Sequence, residues 1–118
     1  MPEPSNTVQA QLDKLRKKYG RELPEKIARV EAVFAPLFAG PWEEQACKDA
    51  YRQIHSLAGS SGTYGFMEIA KIARAAEALL KQCLESRSIP PNPWKAQVDE
   101  LVAKLHGMAS LSASELSS

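Results

Sequence analysis

Apolar residues recur along most of the chain at every third or fourth position, which is the period of an amphipathic helix. No segment shows the period-two alternation of a strand bounded by turn residues. The predicted helices cover about 7–18, 23–38, 42–61, 66–85 and 93–109. Long amphipathic helices with short connections are typical of an antiparallel bundle. We therefore expect an all-α fold, an antiparallel four-helix bundle with an additional N-terminal helix.

Glycine and proline mark the expected ends of these helices. Gly20 is suited to stop the first helix, and Pro24 is suited to the first position of the second. Pro36 should bend or end the second helix locally. The segment 59–65, with the sequence GSSGTYG, is expected to end the third helix in a tight connection.

The two ends of the chain differ in composition from the helical middle. Residues 1–6 contain two prolines and are predicted to be a flexible leader. Residues 110–118 are rich in serine and are predicted to be a tail or linker. The helical domain itself is expected to cover 7–109.

The third predicted helix carries a histidine opposite its apolar stripe. At about 100° per residue, the core-facing stripe consists of Ala46, Ala50, Ile54, Leu57 and Ser61. His55 points roughly 135° away from the centre of that stripe, which excludes a core histidine. Its outward face is shared with Lys48, Arg52, Gly59 and Gly62.

The neighbours of His55 favour a chemical role over that of an ordinary surface histidine. Gly59 lies one turn further on, although glycine inside a helix costs about 0.5–1 kcal/mol relative to alanine. The absence of a side chain at Gly59 would leave space for a partner or a bulky adduct, which would account for this cost. A neutral imidazole, with an unperturbed pKa of about 6.5, can attack phosphorus. Arg52 is the best local cation to offset the added charge, followed by Lys48.

Composition excludes several classes of function. Fifteen basic and 14 acidic residues give a net charge of +1, which provides no electrostatic case for binding nucleic acid or an anionic membrane. The basic run 14–18, KLRKK, is interpreted as the solvated face of a helix. No membrane span or signal peptide is recognised, so a cytoplasmic location is expected. Cys47 and Cys83 lack metal-ligand spacing and are predicted to be buried, inert thiols.

The run IHSLAGSSGTYGF, from Ile54 to Phe66, resembles the signature of histidine-containing phosphotransfer (Hpt) domains. This family includes the N-terminal domain of chemotaxis histidine kinases. Its signature reads roughly His-x-Leu-Lys-Gly, followed by small residues and a later glycine. The matching positions are His55, Leu57, Gly59 and Gly65, followed by 77–80, EALL, in the next helix. The resemblance extends over about 20–108, and its specific part is confined to 54–80.

The resemblance implies a helical bundle that acts in a phosphorelay. His55 would accept a phosphoryl group from a sensor histidine kinase or a phosphorylated aspartate. It would then pass the group to the aspartate of a response-regulator receiver domain. No kinase activity, metal or cofactor is expected in the chain itself, because Mg²⁺ belongs to the receiver. The Ser-rich ending would suit one domain of a larger signalling protein.

Ala58 departs from the family pattern. The family commonly has a lysine here that holds the phosphoryl oxygens, and the angular count places Ala58 on the flank of the His55 face. Arg52, or Lys71 or Arg74 of the next helix, could replace that cation. Otherwise the phosphohistidine is less stabilised, or the domain is a docking module that binds a receiver or kinase without phosphotransfer. A self-contained enzyme lacks support, since no nucleotide-binding loop, carboxylate pair or metal cluster is recognised in the sequence.

Overall fold

Four α-helices make up the part of the chain whose backbone is described, residues 4–117. The structure is a computed structural model, and it describes the side chains of residues 8–112. The helices are α1 (Pro4–Phe38), α2 (Glu44–Thr63), α3 (Met67–Ser86) and α4 (Trp94–Ser117). Within residues 4–117 there is no strand, and no described helix is long and apolar enough to cross a membrane.

The helices pack as an antiparallel bundle in which α2 contacts α1 and α3, and α4 contacts the same two helices. The rings of Phe38 and Trp94, at the end of α1 and the start of α4, have centroids 5.9 Å apart. Leu23, Ile54, Ala73 and Val98, one from each helix, are among the buried core residues. The predicted all-α antiparallel four-helix bundle is therefore confirmed.

The predicted break between the first two helices is absent, because α1 runs without interruption through Gly20 and Pro24. Pro24 lacks the N–H group that would bond the carbonyl of Gly20. Tyr19, Leu23 and Ile27 are buried across this junction, and burying a large apolar side chain contributes roughly 1.5–3 kcal/mol. This burial outweighs the local losses of about 1 kcal/mol for glycine and about 3 kcal/mol for proline. The additional N-terminal helix is thus the first part of α1.

Residues 4–18 of α1 extend beyond α2 and α3, whose connection packs on Tyr19, and we refer to them as the N-terminal overhang. The side chains of residues 8–18 are exposed, and regular burial begins at Tyr19. At 1.5 Å per residue, α1 spans about 52 Å, whereas α2 and α3 each span about 30 Å. The longest dimension of the molecule, 62 Å, reflects this difference.

The remaining helix ends shift modestly from their predicted positions. The α2 helix continues to Thr63, so the connection to α3 is confined to 64–66. Gly65 in this connection has φ 83°, a conformation that favours glycine. At the other end, α4 continues through the Ser-rich segment to Ser117 instead of ending near residue 109. The helix α1 includes residues 4–6 of the predicted leader, and residues 1–3 lie outside the described part.

Cys47 and Cys83 are both fully buried, as their apolar sequence surroundings predict. Burial raises the pKa of the Cys47 thiol to about 12, and the neighbouring Cys83 adds to the effect. A thiol with such a pKa stays protonated at neutral pH, and the thiolate is the reactive form. Cys47 is therefore an unreactive core residue.

Candidate functional site

His55 lies in the middle of α2, on the face that points away from the core. Ile54 and Leu57 are buried, whereas 68% of the His55 side chain is exposed. The core-facing stripe differs from the predicted one at its start, where Cys47 is buried and Ala46 is only half-buried. The helical period is thus sufficient to orient His55 outward, as the sequence predicted.

Glu77 of α3 holds the imidazole ring of His55. The Nδ1 atom of His55 lies 2.9 Å from Oε1 of Glu77. The hydroxyl of Tyr51, one turn before His55 on α2, donates a hydrogen bond to the same oxygen at 3.1 Å. The Tyr51 and His55 rings are nearly parallel, with an interplanar angle of 13° and centroids 6.0 Å apart. Because only 20% of the Glu77 side chain is exposed, its carboxylate is held in a defined position.

This contact determines which imidazole nitrogen can act as a nucleophile. The hydrogen bond with His55 contributes most to lowering the pKa of Glu77 below its usual 4.5; partial burial opposes this shift and the Tyr51 hydroxyl reinforces it. An ionised carboxylate only accepts hydrogen bonds, so Nδ1 of His55 carries a proton and donates it. In the neutral ring the lone pair then lies on Nε2. Nε2 is therefore the atom that can attack phosphorus.

Tyr51 supports this arrangement as a positioning residue. Its hydrogen bond to Glu77 raises the pKa of the Tyr51 hydroxyl above its usual 10.0. Tyr51 therefore stays protonated at neutral pH and remains a donor. Two donors from α2, one turn apart, thus orient one carboxylate of α3.

Gly59 leaves open space one turn after His55. Among the described residues, a Cβ atom at Gly59 would meet no heavy atom within 4 Å. Gly62 is half-buried, and a Cβ atom there would lie 3.8 Å from the guanidinium of Arg74. The surface beside the imidazole is therefore open at Gly59, and the guanidinium of Arg74 lies near Gly62, about one turn further along α2.

The cations predicted from the sequence fall into two groups. Three of them lie 3.8–3.9 Å from an acidic side chain of their own helix: Arg52, Lys48 and Lys71. Arg74 instead lines a groove between α2 and α3 together with His55 and Glu77. Lys81, which the sequence did not single out, lines the same groove. Of the predicted cations, Arg74 is thus the one brought into the groove of His55.

The prediction that Ala58 lies on the flank of the His55 face is wrong. Its side chain is only 3% exposed and belongs to the core. Ala58 follows the buried Ile54 by four residues, and residues with this spacing lie on the same face of a helix. Position 58 therefore holds a core side chain in place of the family's lysine.

Two residues that hold His55, Glu77 and Tyr51, were not predicted to be site residues. Tyr51 had a usable signal, because it precedes His55 by four residues and must lie on the same face of α2. Glu77 lies 22 residues away in sequence, and no local pattern relates it to His55. The family resemblance did include the run 77–80, but its contact with His55 could be recognised only once the face of α3 that meets α2 was known.

The described residues contain no preformed metal site. Between residues 8 and 112, no group of three or more His, Cys, Asp or Glu side chains comes together in a way that could hold a metal ion. Glu77 is the carboxylate beside His55, and its Oε1 already accepts two hydrogen bonds.

Comparison with known proteins agrees with this geometry. A family model described as Hpt domain matches residues 14–110, which is most of the chain. Searches among curated proteins and among solved structures find no match. The matched segment includes all of α2 and α3, and therefore His55, Glu77 and the open surface at Gly59. The chain belongs to the Hpt domain family, whose members act as phosphotransfer carriers in phosphorelay signalling.

Proposed function

We propose that His55 is the phosphoryl carrier, accepting the group from a histidine kinase or a phosphorylated receiver and passing it to a response-regulator receiver domain. The observation that supports this most strongly is the exposed imidazole whose Nδ1 proton is held by Glu77. That contact leaves Nε2 as the nucleophile. Gly59 provides the space that an incoming receiver and a phosphoryl group need beside the ring.

The transfer from a phosphorylated aspartate balances as a single substitution at phosphorus. The Nε2 lone pair forms the N–P bond while the bond between phosphorus and the aspartyl oxygen breaks. The leaving carboxylate takes the electron pair of the broken bond. Because His55 keeps its Nδ1 proton, the phosphorylated ring gains positive charge, which the carboxylate of Glu77 stabilises. The reverse step, with a different aspartate as nucleophile, returns the phosphoryl group to a receiver.

Arg74 and Lys81 support the phosphoryl group electrostatically in this proposal. Both line the groove that contains His55, and a nearby cation favours the doubly negative adduct. Arg74 thereby takes the role that the family assigns to a lysine at the position of Ala58. We further propose that Mg²⁺ resides on the receiver, that the chain has no cofactor of its own and that it acts in the cytoplasm.

The second candidate is a docking module that binds a receiver or kinase without phosphotransfer. The buried Ala58, in place of the usual lysine, is the observation in its favour. The His55–Glu77–Tyr51 arrangement argues for transfer, because docking alone does not require a defined tautomer of an exposed histidine.

A transfer assay with a purified receiver domain carrying radiolabelled phosphate on its aspartate tests the proposal. The wild-type chain should acquire label that is labile in acid and stable in alkali, as expected for phosphohistidine. His55→Gln should acquire none while still binding the receiver and keeping its helical content. Binding without any label on the wild-type chain would establish the docking module. Undiminished label on His55→Gln would show that His55 is not the carrier.

A further inference from the structure

Large apolar side chains are exposed at one end of the bundle, the end that carries the connection between α2 and α3. Among residues 8–112, the large hydrophobic side chains classed as exposed are Val8, Leu12, Leu15, Met67 and Leu111. Three of them, Val8, Leu12 and Leu15, lie on the N-terminal overhang and are 46–56% exposed. A contiguous patch of exposed apolar side chains is typical of an interaction surface.

The three overhang residues form a narrow line along α1, which we refer to as the seam. Their spacing of four and then three residues is that of the apolar positions in a two-stranded coiled coil. The next position in the pattern is Tyr19, whose ring stacks on Tyr64 with a centroid distance of 4.8 Å. The seam therefore continues the face of α1 that packs on the α2–α3 connection. A helix that packs on the seam would therefore lie next to the α2–α3 connection, on the side away from α2 and α3.

Charge on the overhang limits what can cover the seam. Residues 8–18 contain four basic side chains and one acidic side chain, Asp13. Arg16 and Lys18 flank the seam on opposite sides at about 100° per residue, and the guanidinium of Arg16 is anchored 4.8 Å from the centroid of the Phe66 ring. A second copy of the chain would bring like charges together. An anionic bilayer matches the charge, but interfacial helices present a broad, bulky apolar face rather than a single narrow line.

We propose that the overhang binds an amphipathic helix of another protein, with an apolar seam flanked by Asp or Glu side chains. Apolar side chains of the partner helix, such as leucine, would cover Val8, Leu12 and Leu15. Its Asp or Glu side chains would pair with Arg16 and Lys18. Met67, 59% exposed at the start of α3, directly follows Phe66, the residue whose ring Arg16 contacts. This interaction is separate from phosphotransfer, because the seam is on α1 and the chemistry of His55 is on α2 and α3.

A synthetic probe of stated chemistry tests the proposal with the complete chain. The probe is a fluorescent helical peptide of about three heptads, with leucine at the seam positions and glutamate at the flanks. The matched control peptide carries lysine at the flanks. Fluorescence anisotropy should show binding of the acidic peptide and at least about tenfold weaker binding of the basic one. The difference should shrink as the salt concentration rises from about 0.1 M to about 1 M, because exposed charges are then screened.

Variants of exposed residues locate the binding site without disturbing the core. The double variant Leu12→Gln/Leu15→Gln should weaken binding of the acidic peptide at least about tenfold, with an unchanged melting temperature of the bundle. Leu111→Gln is the control, since Leu111 is 54% exposed on α4. Equal binding of both peptides, or equal loss in both variants, would overturn the proposal. So would a seam-dependent dimer in sedimentation, or seam-dependent binding to phosphatidylserine vesicles without peptide binding.

Discussion

His55 of α2 and His106 of α4 each lie within hydrogen-bonding distance of a glutamate on a neighbouring helix. His55 faces Glu77 through Nδ1 at 2.9 Å, and His106 faces Glu31 through Nε2 at 3.2 Å. In the first pair the histidine side chain is 68% exposed and the glutamate 20%. In the second pair the histidine is 39% exposed and the glutamate 59%. The more exposed partner is thus the imidazole in one pair and the carboxylate in the other.

The surroundings of the two histidines also carry opposite charge. Arg74 and Lys81 line the groove at His55, together with Glu77. Asp99 and Glu31 line the groove at His106. A phosphoryl group would be stabilised by the first pair of side chains and repelled by the second. A histidine–glutamate contact is common to both sites, whereas the exposed imidazole, the anchored carboxylate and the nearby cations that support the proposed carrier role are found together at His55.

The largest expected difference in phosphoryl transfer is between variants of the two histidines themselves. His55→Gln should abolish phosphoryl transfer from a phosphorylated receiver domain, because it removes the nucleophile. His106→Gln should leave the rate within about twofold, as a surface substitution typically changes free energies by at most about 0.5 kcal/mol. Radiolabel transfer measures both variants side by side. Loss of transfer in His106→Gln with an intact fold would remove the distinction between the two sites.

Substitution of the two glutamates, Glu77 and Glu31, should also affect the rate of phosphoryl transfer very differently. Glu77→Gln should slow transfer by roughly 10–100-fold, since a hydrogen bond to a charged group is worth about 1.5–3 kcal/mol. Imidazole ¹⁵N chemical shifts should show His55 protonated at Nδ1 in the wild type and a mixture of tautomers in the variant.

Glu31→Gln is the matched control at the second pair, and we expect it to change neither the transfer rate nor the His55 spectrum. A slow Glu77→Gln variant with an unchanged tautomer would contradict the positioning role of Glu77.

Glycines near the two histidines allow a steric test. Gly59 and Gly107 are both exposed helical residues at which an added Cβ would meet no described atom within 4 Å. Gly59→Leu should slow transfer about tenfold or more, because the side chain displaces the docked receiver, whereas Gly107→Leu should not. Each change should increase the free energy of unfolding by about 0.5–1 kcal/mol, since leucine favours helix more than glycine. Equal transfer rates would show that the space at Gly59 is not used.

The smallest expected effect is on the pH dependence of stability. The pKa of Glu77 is lower in the folded chain than its usual 4.5, so this group stabilises the fold above that pH. The contribution is lost as pH falls through the folded-state pKa. Its size should stay below about 1 kcal/mol, because the pair borders solvent.

Urea unfolding at a series of acidic pH values should show a shallower loss of stability in Glu77→Gln than in the wild type. Glu31→Gln provides the comparison at the second pair, with an acid-side slope close to that of the wild type. A wild-type slope in Glu77→Gln would exclude the proposed linkage.

Local patterns were reliable for features that depend on one helix at a time. The outward direction of His55, the burial of Ile54 and Leu57 and the open position at Gly59 all follow from the helical period. Local signals failed at Gly20, where a stop was predicted but α1 continues. Burial of side chains on both sides of that glycine, contributed by the other helices, outweighed its local preference.

The sequence by itself determined the helical class, the exposed histidine and the space beside it, because these follow from periodicity and residue type within α2. Only the tertiary structure decided that Glu77 holds Nδ1, that Arg74 lines the groove and that Ala58 is buried. These contacts depend on which faces of α2 and α3 meet and on their axial register, and both are set by packing of the whole core rather than by any local pattern.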